Sequence, residues 1–310
     1  MRDSTREKVE AAIAALGYQP SQSARSLAGR KSFLLGLVYS NPSDSYIIRA
    51  QQGALGACRQ NGFGLLILPC DHLQPRLAQN LIAEVQQARL DGVVLTPPLT
   101  ENLSLRRALK RENIPFACVA PELISNEVSV GCDDQKAATE ICEYLIERGH
   151  RDIAHIEGHP DHSASRLRRA GYEAALSKHN LASAKRWVKT GNFAFAEAKK
   201  AASQFLQLKQ RPTAIFAASD EMASAVLVVA QELGLQVPED VSVVGFDDSP
   251  LAQQSWPALT TVQQPVEKMV EGAVRGLIQK LTGGETSGSI SEMILTCRLV
   301  EWASVAKIDG

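Results

Sequence analysis

Phe33-Leu34-Leu35-Gly36-Leu37-Val38-Tyr39 is an unbroken apolar run, followed by the polar turn Ser40-Asn41-Pro42-Ser43-Asp44-Ser45 and then a helical pattern over 47–61. A short apolar run without alternation reads as a strand buried on both faces, as in a parallel sheet. Similar runs recur at 65–69, 92–96 and 116–120, with helical patterns over 74–89 and 101–112 between them. These helices have the length that right-handed strand–helix–strand crossovers need, so helices are expected on both faces of a parallel sheet. The rhythm then starts again: helix over 133–148, strand 153–157, helix 165–179, strand 213–217, helix 220–233 and strand 241–246. The fold class is α/β, with two doubly wound parallel-sheet lobes.

After Phe246 the alternation stops. Asp247-Asp248-Ser249-Pro250 and Trp256-Pro257 lead to Leu259-Thr260-Thr261-Val262-Gln263-Gln264-Pro265, a suitable place for the chain to cross back. The expected division is 33–132 plus about 266–290 for the first lobe and 133–265 plus about 291–304 for the second. Several connections between two lobes favour hinge closure around a ligand at the strands' C-terminal ends. Trp256 reads as packing the crossover, and the Gly/Ser/Thr-rich stretch 282–289 as a surface tip.

Ahead of the first strand, Ser4 and Glu7 form a capping-box signature, and Val9, Ile13 and Leu16 share a face until Gly17, giving one amphipathic helix over 1–18. A joint, 19–32, follows. Within it Pro20 can open a helical turn, Ser21 can cap it and Gly29 can end it. Barely two turns result, and isolated helices under roughly 12–15 residues are marginal in water, so order there can report a binding event.

The 310 residues are 45% hydrophobic and 22% charged with net charge −1, enough for a large core and no basis for bulk nucleic-acid attraction. Any DNA affinity must be local, as at Arg25, Arg30 and Lys31. No apolar run reaches the roughly 18–20 residues of a membrane span and the start is not a secretory signal, so the cytoplasm is expected. Cys58, Cys70, Cys118, Cys132, Cys142 and Cys297 show no Cys-x-x-Cys and suit reduced core thiols.

Enzyme signatures are missing. The first strand leads into no glycine cradle, and there is neither a P-loop nor a Gly-x-Ser-x-Gly elbow. His159-x-x-His162 is the best candidate for a metal or base site, but no further ligand lies near it in sequence, and it reads as a polar loop at a crevice rim. Neither a metal nor a cofactor is expected. Of Asp247 and Asp248, adjacent after a strand, one is expected to face the crevice and the other to brace. Arg168, taken alone, reads as an exposed helix arginine crowded by Arg166 and Arg169.

Several words along the chain resemble one family. Gly17-Tyr18-Gln19-Pro20 and Ala24-Arg25-Ser26-Leu27 resemble the hinge of the lactose-repressor/galactose-repressor (LacI/GalR) family of bacterial transcription regulators. Gly149-His150-Arg151, Arg168-Arg169-Ala170-Gly171-Tyr172, Ala218-Ser219-Asp220-Glu221-Met222-Ala223, Ser242-Val243-Val244-Gly245-Phe246-Asp247-Asp248 and Pro257-Ala258-Leu259-Thr260-Thr261-Val262 resemble its core, so the likeness runs from Ser4 to about Thr261.

The resemblance implies a ligand-responsive repressor that works as a homodimer or larger homo-oligomer on operator DNA, with a small molecule, a sugar, held between lobes like those of periplasmic binding proteins. It makes 1–18 the third helix of a DNA-binding headpiece whose first two helices are not in this sequence, whether by truncation, a mis-assigned start or loss. It puts Leu27 at the minor-groove wedge, with Ser23, Ala24 and Arg25 beside it, and assigns effector contacts to Arg168, Asp247, Phe193, Tyr46 and Asp220. Phe193 is then a wall on which a sugar's C–H face stacks; core packing is its other reading. Relatives often carry asparagine at Ser219. Two other classes stay open: a sugar-binding protein without a DNA role, and an enzyme acting on a sugar or nucleoside.

Overall fold

The computed structural model describes residues 31–122, 127–181, 185–283 and 292–308, with Ala12 ahead of them. The expected headpiece helix, apart from Ala12, and the hinge residues Ser23, Ala24, Arg25 and Leu27 lie outside the described residues.

The first series is β1 (Leu34–Tyr39), α1 (Asp44–Gln60), β2 (Gly64–Pro69), α2 (Leu77–Gln87), β3 (Gly92–Leu95), α3 (Leu103–Arg111), β4 (Phe116–Val119) and β5 (Val128–Cys132). The second is α4 (Asp134–Glu147), β6 (Ile153–Glu157), α5 (Ser163–Lys178), β7 (Val188–Thr190), α6 (Phe195–Leu206), β8 (Ala214–Ala217), α7 (Asp220–Glu232) and β9 (Ser242–Val244). The chain ends with α8 (Pro250–Gln254), β10 (Thr261–Gln263), α9 (Val266–Thr282), β11 (Glu292–Leu295) and β12 (Arg298–Val300). Polar caps start the helices that border the cleft: Ser43 for α1, Asp133 for α4 and Ser219 for α7 each accept a backbone N–H through the side chain.

Two parallel sheets result, ordered β11-β5-β4-β3-β1-β2 and β7-β6-β8-β9. Their central strands are apolar because helices cover both faces; Leu35, Leu37, Val93, Val94 and Leu95 have no exposed surface. In each sheet the strand order reverses beside the lobe's first strand, between β1 and β3 and between β6 and β8, which opens a crevice at the strands' C-terminal ends.

The chain passes between the sheets three times: from β5 to α4, from β10 to α9, and from β11 to β12. The sequence reading places 291–304 in the second lobe, and the structure splits that stretch. β11 pairs with β5 in the first sheet, and β12 pairs antiparallel with β10 beside the second. β11 is an edge strand whose apolar Met293 and Ile294 are exposed, so its place in the first sheet rests on pairing with β5 and not on burial. β5, β7 and α6 are also additions to the sequence reading; β7 is three residues of mixed polarity. Trp256 does not pack the crossover: it is 95% exposed.

Helices α4 and α5 cross so closely that a Cβ at Gly171 would lie 2.3 Å from the Gln135 carbonyl oxygen and 2.7 Å from Ala138 Cβ. Gly171→Ala gains about 1 kcal/mol of helix propensity but must push two backbones apart, so we expect a net loss of about 1–3 kcal/mol in urea unfolding. An unchanged midpoint would contradict this close approach.

Candidate functional site

The two crevices face each other around a cavity lined by Asn41, Ser43, Tyr46 and Pro97 from the first lobe and His162, Arg168, Phe193, Ser219, Asp247 and Gln264 from the second or its crossings. Four of the five residues assigned to effector contact therefore meet in one place.

Arg168, in the second turn of α5, is not an exposed helix arginine: 3% of its side chain is accessible. Its Nε donates to Asp134 Oδ1 at 2.8 Å, and Nη1 donates to the Ala218 carbonyl at 2.6 Å and lies 3.7 Å from Asp247 Oδ1. The Phe246 ring lies under the guanidinium carbon, 3.6 Å from centroid to Cζ. Burial works against the charge, but Asp134 and Asp247 outweigh it and raise the Arg168 pKa. A buried cation needs such a cage of partners.

Asp247 ends the β9 segment with φ 115, a conformation that L side chains rarely adopt, and its backbone holds it there. Its N–H donates to the Val262 carbonyl, and its own carbonyl accepts Arg49 Nη1 at 2.7 Å. Arg49 comes from α1 in the first lobe and also forms a two-toothed pair with Glu267, at 2.8 and 3.0 Å. Asp248 braces: its N–H points to Thr261 Oγ1 and its Oδ2 accepts Gln263 Nε2 at 2.8 Å.

Asp220 is a correction. It is fully buried, and both oxygens are taken within the second lobe, Oδ2 by the Ser249 N–H at 2.7 Å and Oδ1 by Thr261 Oγ1 at 2.5 Å. It ties α7 to the segment after β9 and does not line the cavity; Ser219 does, while capping α7. Burial, and then the charge of Asp247, pushes the Asp220 pKa up to about 8. Burial raises Asp247 to about 6 against the opposing pull of Arg168 and Arg49.

Phe193 is a wall of the cavity and also packed: its ring lies so close to Gly158 that a Cβ there would fall 2.0 Å from Cζ. The Tyr46 hydroxyl is buried without a hydrogen-bond partner among the described residues. Burial raises its pKa, so it is a neutral phenol able to donate or accept. His162, whose ring sits 5.3 Å from that of Phe193, is pushed down to about 3 by burial and is neutral.

Asp134, Arg49, Gln264 and His162 escaped the sequence reading as site residues. Asp134 carries a signal only as part of the acidic start of α4, which reads as capping, and Arg49 lies in the middle of a helix.

Two predictions follow from this geometry. Tyr46→Phe removes a hydroxyl that has no partner, so the melting temperature of the ligand-free protein should hold or rise, by the equivalent of about 1 kcal/mol; a clear fall would show that the hydroxyl is already satisfied. The second concerns pH. Because Asp220 and Asp247 have folded pKa values above their unfolded ones, the native state binds more protons between about pH 4 and pH 8. Their contribution to stability is therefore present at low pH and lost as pH rises through that window. Asp220→Asn should flatten the decline in melting temperature from about pH 5 to pH 8, and an unaltered slope would remove Asp220 as its source.

Residues 142–305 match the periplasmic binding protein-like domain family. The HTH-type transcriptional repressor PurR of Erwinia tasmaniensis is 33% identical over 310 residues, covering 99% of this chain and 89% of that protein. PurR of Vibrio campbellii is 32% identical over 296 residues, covering 94% and 87%. The transcriptional regulator CelR in complex with cellobiose superposes with a TM-score of 0.80 at 29% identity, over 98% of this chain and 91% of that one. A LacI transcriptional regulator from Bacillus cereus subsp. cytotoxis gives 0.80 at 26% identity, over 89% and 99%. With this fold, this cleft and these relatives, the chain belongs to the LacI/GalR family of ligand-responsive transcriptional repressors.

Proposed function

We propose that the effector is a neutral polyol, a sugar, held between the lobes by Arg168, Asp247, Tyr46 and Phe193. The observation that carries this reading is the charge balance of the cavity. Arg168 is already faced by two carboxylates, Asp134 and Asp247, so the site has no spare positive charge for an acid. What it offers is acceptors on Asp247, donors and acceptors on Asn41, Ser43, Ser219 and Gln264, an unpartnered phenol on Tyr46 and an aromatic wall on Phe193. Hydroxyl groups, each donor and acceptor at once, with C–H faces between them, match that set. The sugar-bound complex of CelR with cellobiose supports the same class.

In this reading the first lobe comprises 33–132 with 266–283 and 292–295, and the second 133–265 with 298–308. Closure of the lobes on the sugar changes the spacing of two Leu27-bearing hinges in a homodimer on operator DNA, with no turnover of the ligand. A differential affinity of about 1–3 kcal/mol between open and closed states changes operator occupancy roughly 5–150-fold. Among the described residues no helix is long and apolar enough to cross a membrane, which suits a regulator at work on DNA in the cytoplasm.

Calorimetric titration of a sugar panel tests the site. Asp247→Asn leaves the shape and removes the charge, so the sugar that binds the parent should bind it roughly 10–150-fold more weakly, the equivalent of about 1.5–3 kcal/mol. Tyr46→Phe should weaken it roughly 2–10-fold. Equal affinity in both variants would place the sugar elsewhere. Arg168→Ala is a poor probe, because its buried cage couples binding to folding.

A further inference from the structure

At the rim of the same cleft, a second cluster plays no part in the cavity just described. His72 stands on the loop after β2, in the first lobe; His159 and Asp161 stand on the loop between β6 and α5, in the second. His72 Nε2 lies 3.6 Å from Asp161 Oδ2, and His159 Nδ1 lies 3.9 Å from the same oxygen. One ligand atom from each of the three residues falls within 4.8 Å of the other two.

We propose that His72, His159 and Asp161 bind a divalent transition-metal ion of the zinc class, which bridges the two lobes. The donor set is the first argument: two imidazole nitrogens and a carboxylate suit zinc, cobalt or nickel, whereas magnesium and calcium prefer oxygen alone. Spacing is the second. Ligands about 2.0–2.2 Å from a tetrahedral ion stand about 3.3–3.6 Å from each other, close to both distances to Asp161. His159 Nδ1 accepts the Asp161 backbone N–H at 3.2 Å; His159 is half-buried and Asp161 exposed, so rotation of the imidazole releases that bond and brings His159 and His72 to the same separation.

His72 is already held in an orientation that suits an ion. Its Nε2 is buried and has no hydrogen-bond partner among the described residues, while Nδ1 lies 2.9 Å from Ser40 Oγ. Ser40 Oγ also accepts the His72 backbone N–H at 3.1 Å, so the ring is anchored from behind. With Nδ1–H donating to that hydroxyl, Nε2 presents a bare lone pair toward Asp161. Metal-binding histidines are oriented this way, by a partner on the second nitrogen. The cluster borders an open pocket lined by Ser40, Asp71 and Asn192, which gives a hydrated ion a route in. Three protein ligands leave a position for water.

The sequence could not show this site. His159-x-x-His162 reads as a rim loop for want of further ligands nearby, and the missing histidine arrives from the other lobe.

The test uses metal-depleted protein titrated with Co²⁺, followed by its visible d–d absorption, and with Zn²⁺ by calorimetry and thermal melting. One Co²⁺ per chain should bind with the strong band of a four- or five-coordinate ion, and Zn²⁺ should raise the melting temperature. His159→Ala and Asp161→Asn, both at accessible side chains, should fold as the parent does, weaken binding on the order of tenfold or more, and abolish the Zn²⁺-induced rise. His72→Gln should do the same from the first lobe. If that variant fails to fold, Ser40→Ala takes its place as a positioning variant with weakened binding expected. Three results would overturn the proposal: no binding by the parent, binding that none of these variants weakens, or a sulfur-to-metal charge-transfer band, which would put the ion on cysteine. Loss in His159→Ala and Asp161→Asn but not in the first-lobe variant would refute the bridge.

Discussion

A guanidinium without solvent is the central constraint on this molecule. Arg168 is buried where the second lobe meets the first, and each partner that keeps it charged comes from a different part of the chain. Asp134 stands just past the first crossing, the Ala218 carbonyl ends β8, and Phe246 and Asp247 end the segment that leads to the second crossing. Removing Asp134, which bonds the guanidinium directly at 2.8 Å, costs about 3–5 kcal/mol, because the charge left behind stays buried. The residue that lines the cavity between the lobes is therefore also the one that gathers β8, β9 and α4 around it.

This dual use extends to Asp247. Its positive φ costs roughly 1–3 kcal/mol in an ordinary context and survives only because both neighbouring backbone groups are held. One of the holders, Arg49, belongs to the first lobe and is itself clamped by Glu267 on α9. A carboxylate in the second lobe is thus presented partly by a helix of the first. Any rotation of the lobes that lengthens the Arg49 contact bears directly on the Asp247 backbone, a physical route from closure to the site's shape.

The cavity's polarity has a similar logic. Asp220 sits close behind Asp247, yet its oxygens are consumed by Ser249 and Thr261, so it shapes the segment without adding a free acceptor to the cleft. Phe193 serves as wall and packing residue together, because Gly158 leaves room for its ring against the backbone. The buried Tyr46 hydroxyl has no hydrogen-bond partner among the described residues, and it enters the cavity from the opposite lobe.

Much of the architecture was legible along the chain. Apolar runs of five to seven residues alternating with helical stretches are local patterns, and burial on both faces of a parallel sheet leaves that pattern in the sequence itself. The family words carried Arg168, Asp247, Phe193 and Tyr46 to a common cleft. What the chain order could not supply was every relation across lobes and edges. Arg168 reads as solvated, because nothing near it in sequence announces Asp134 or Phe246; Asp220 reads as a contact, because its two donors arrive from Ser249 and Thr261. β11 joins the first sheet through backbone pairing with β5 at an edge, and its Met293-Ile294-Leu295 run does not by itself say which sheet it extends. His72 meets His159 and Asp161 only once two crevices face each other. Periodicity records which face of an element is buried, and it holds no information on which distant group, in a dry interior, shares a charge or a proton with it.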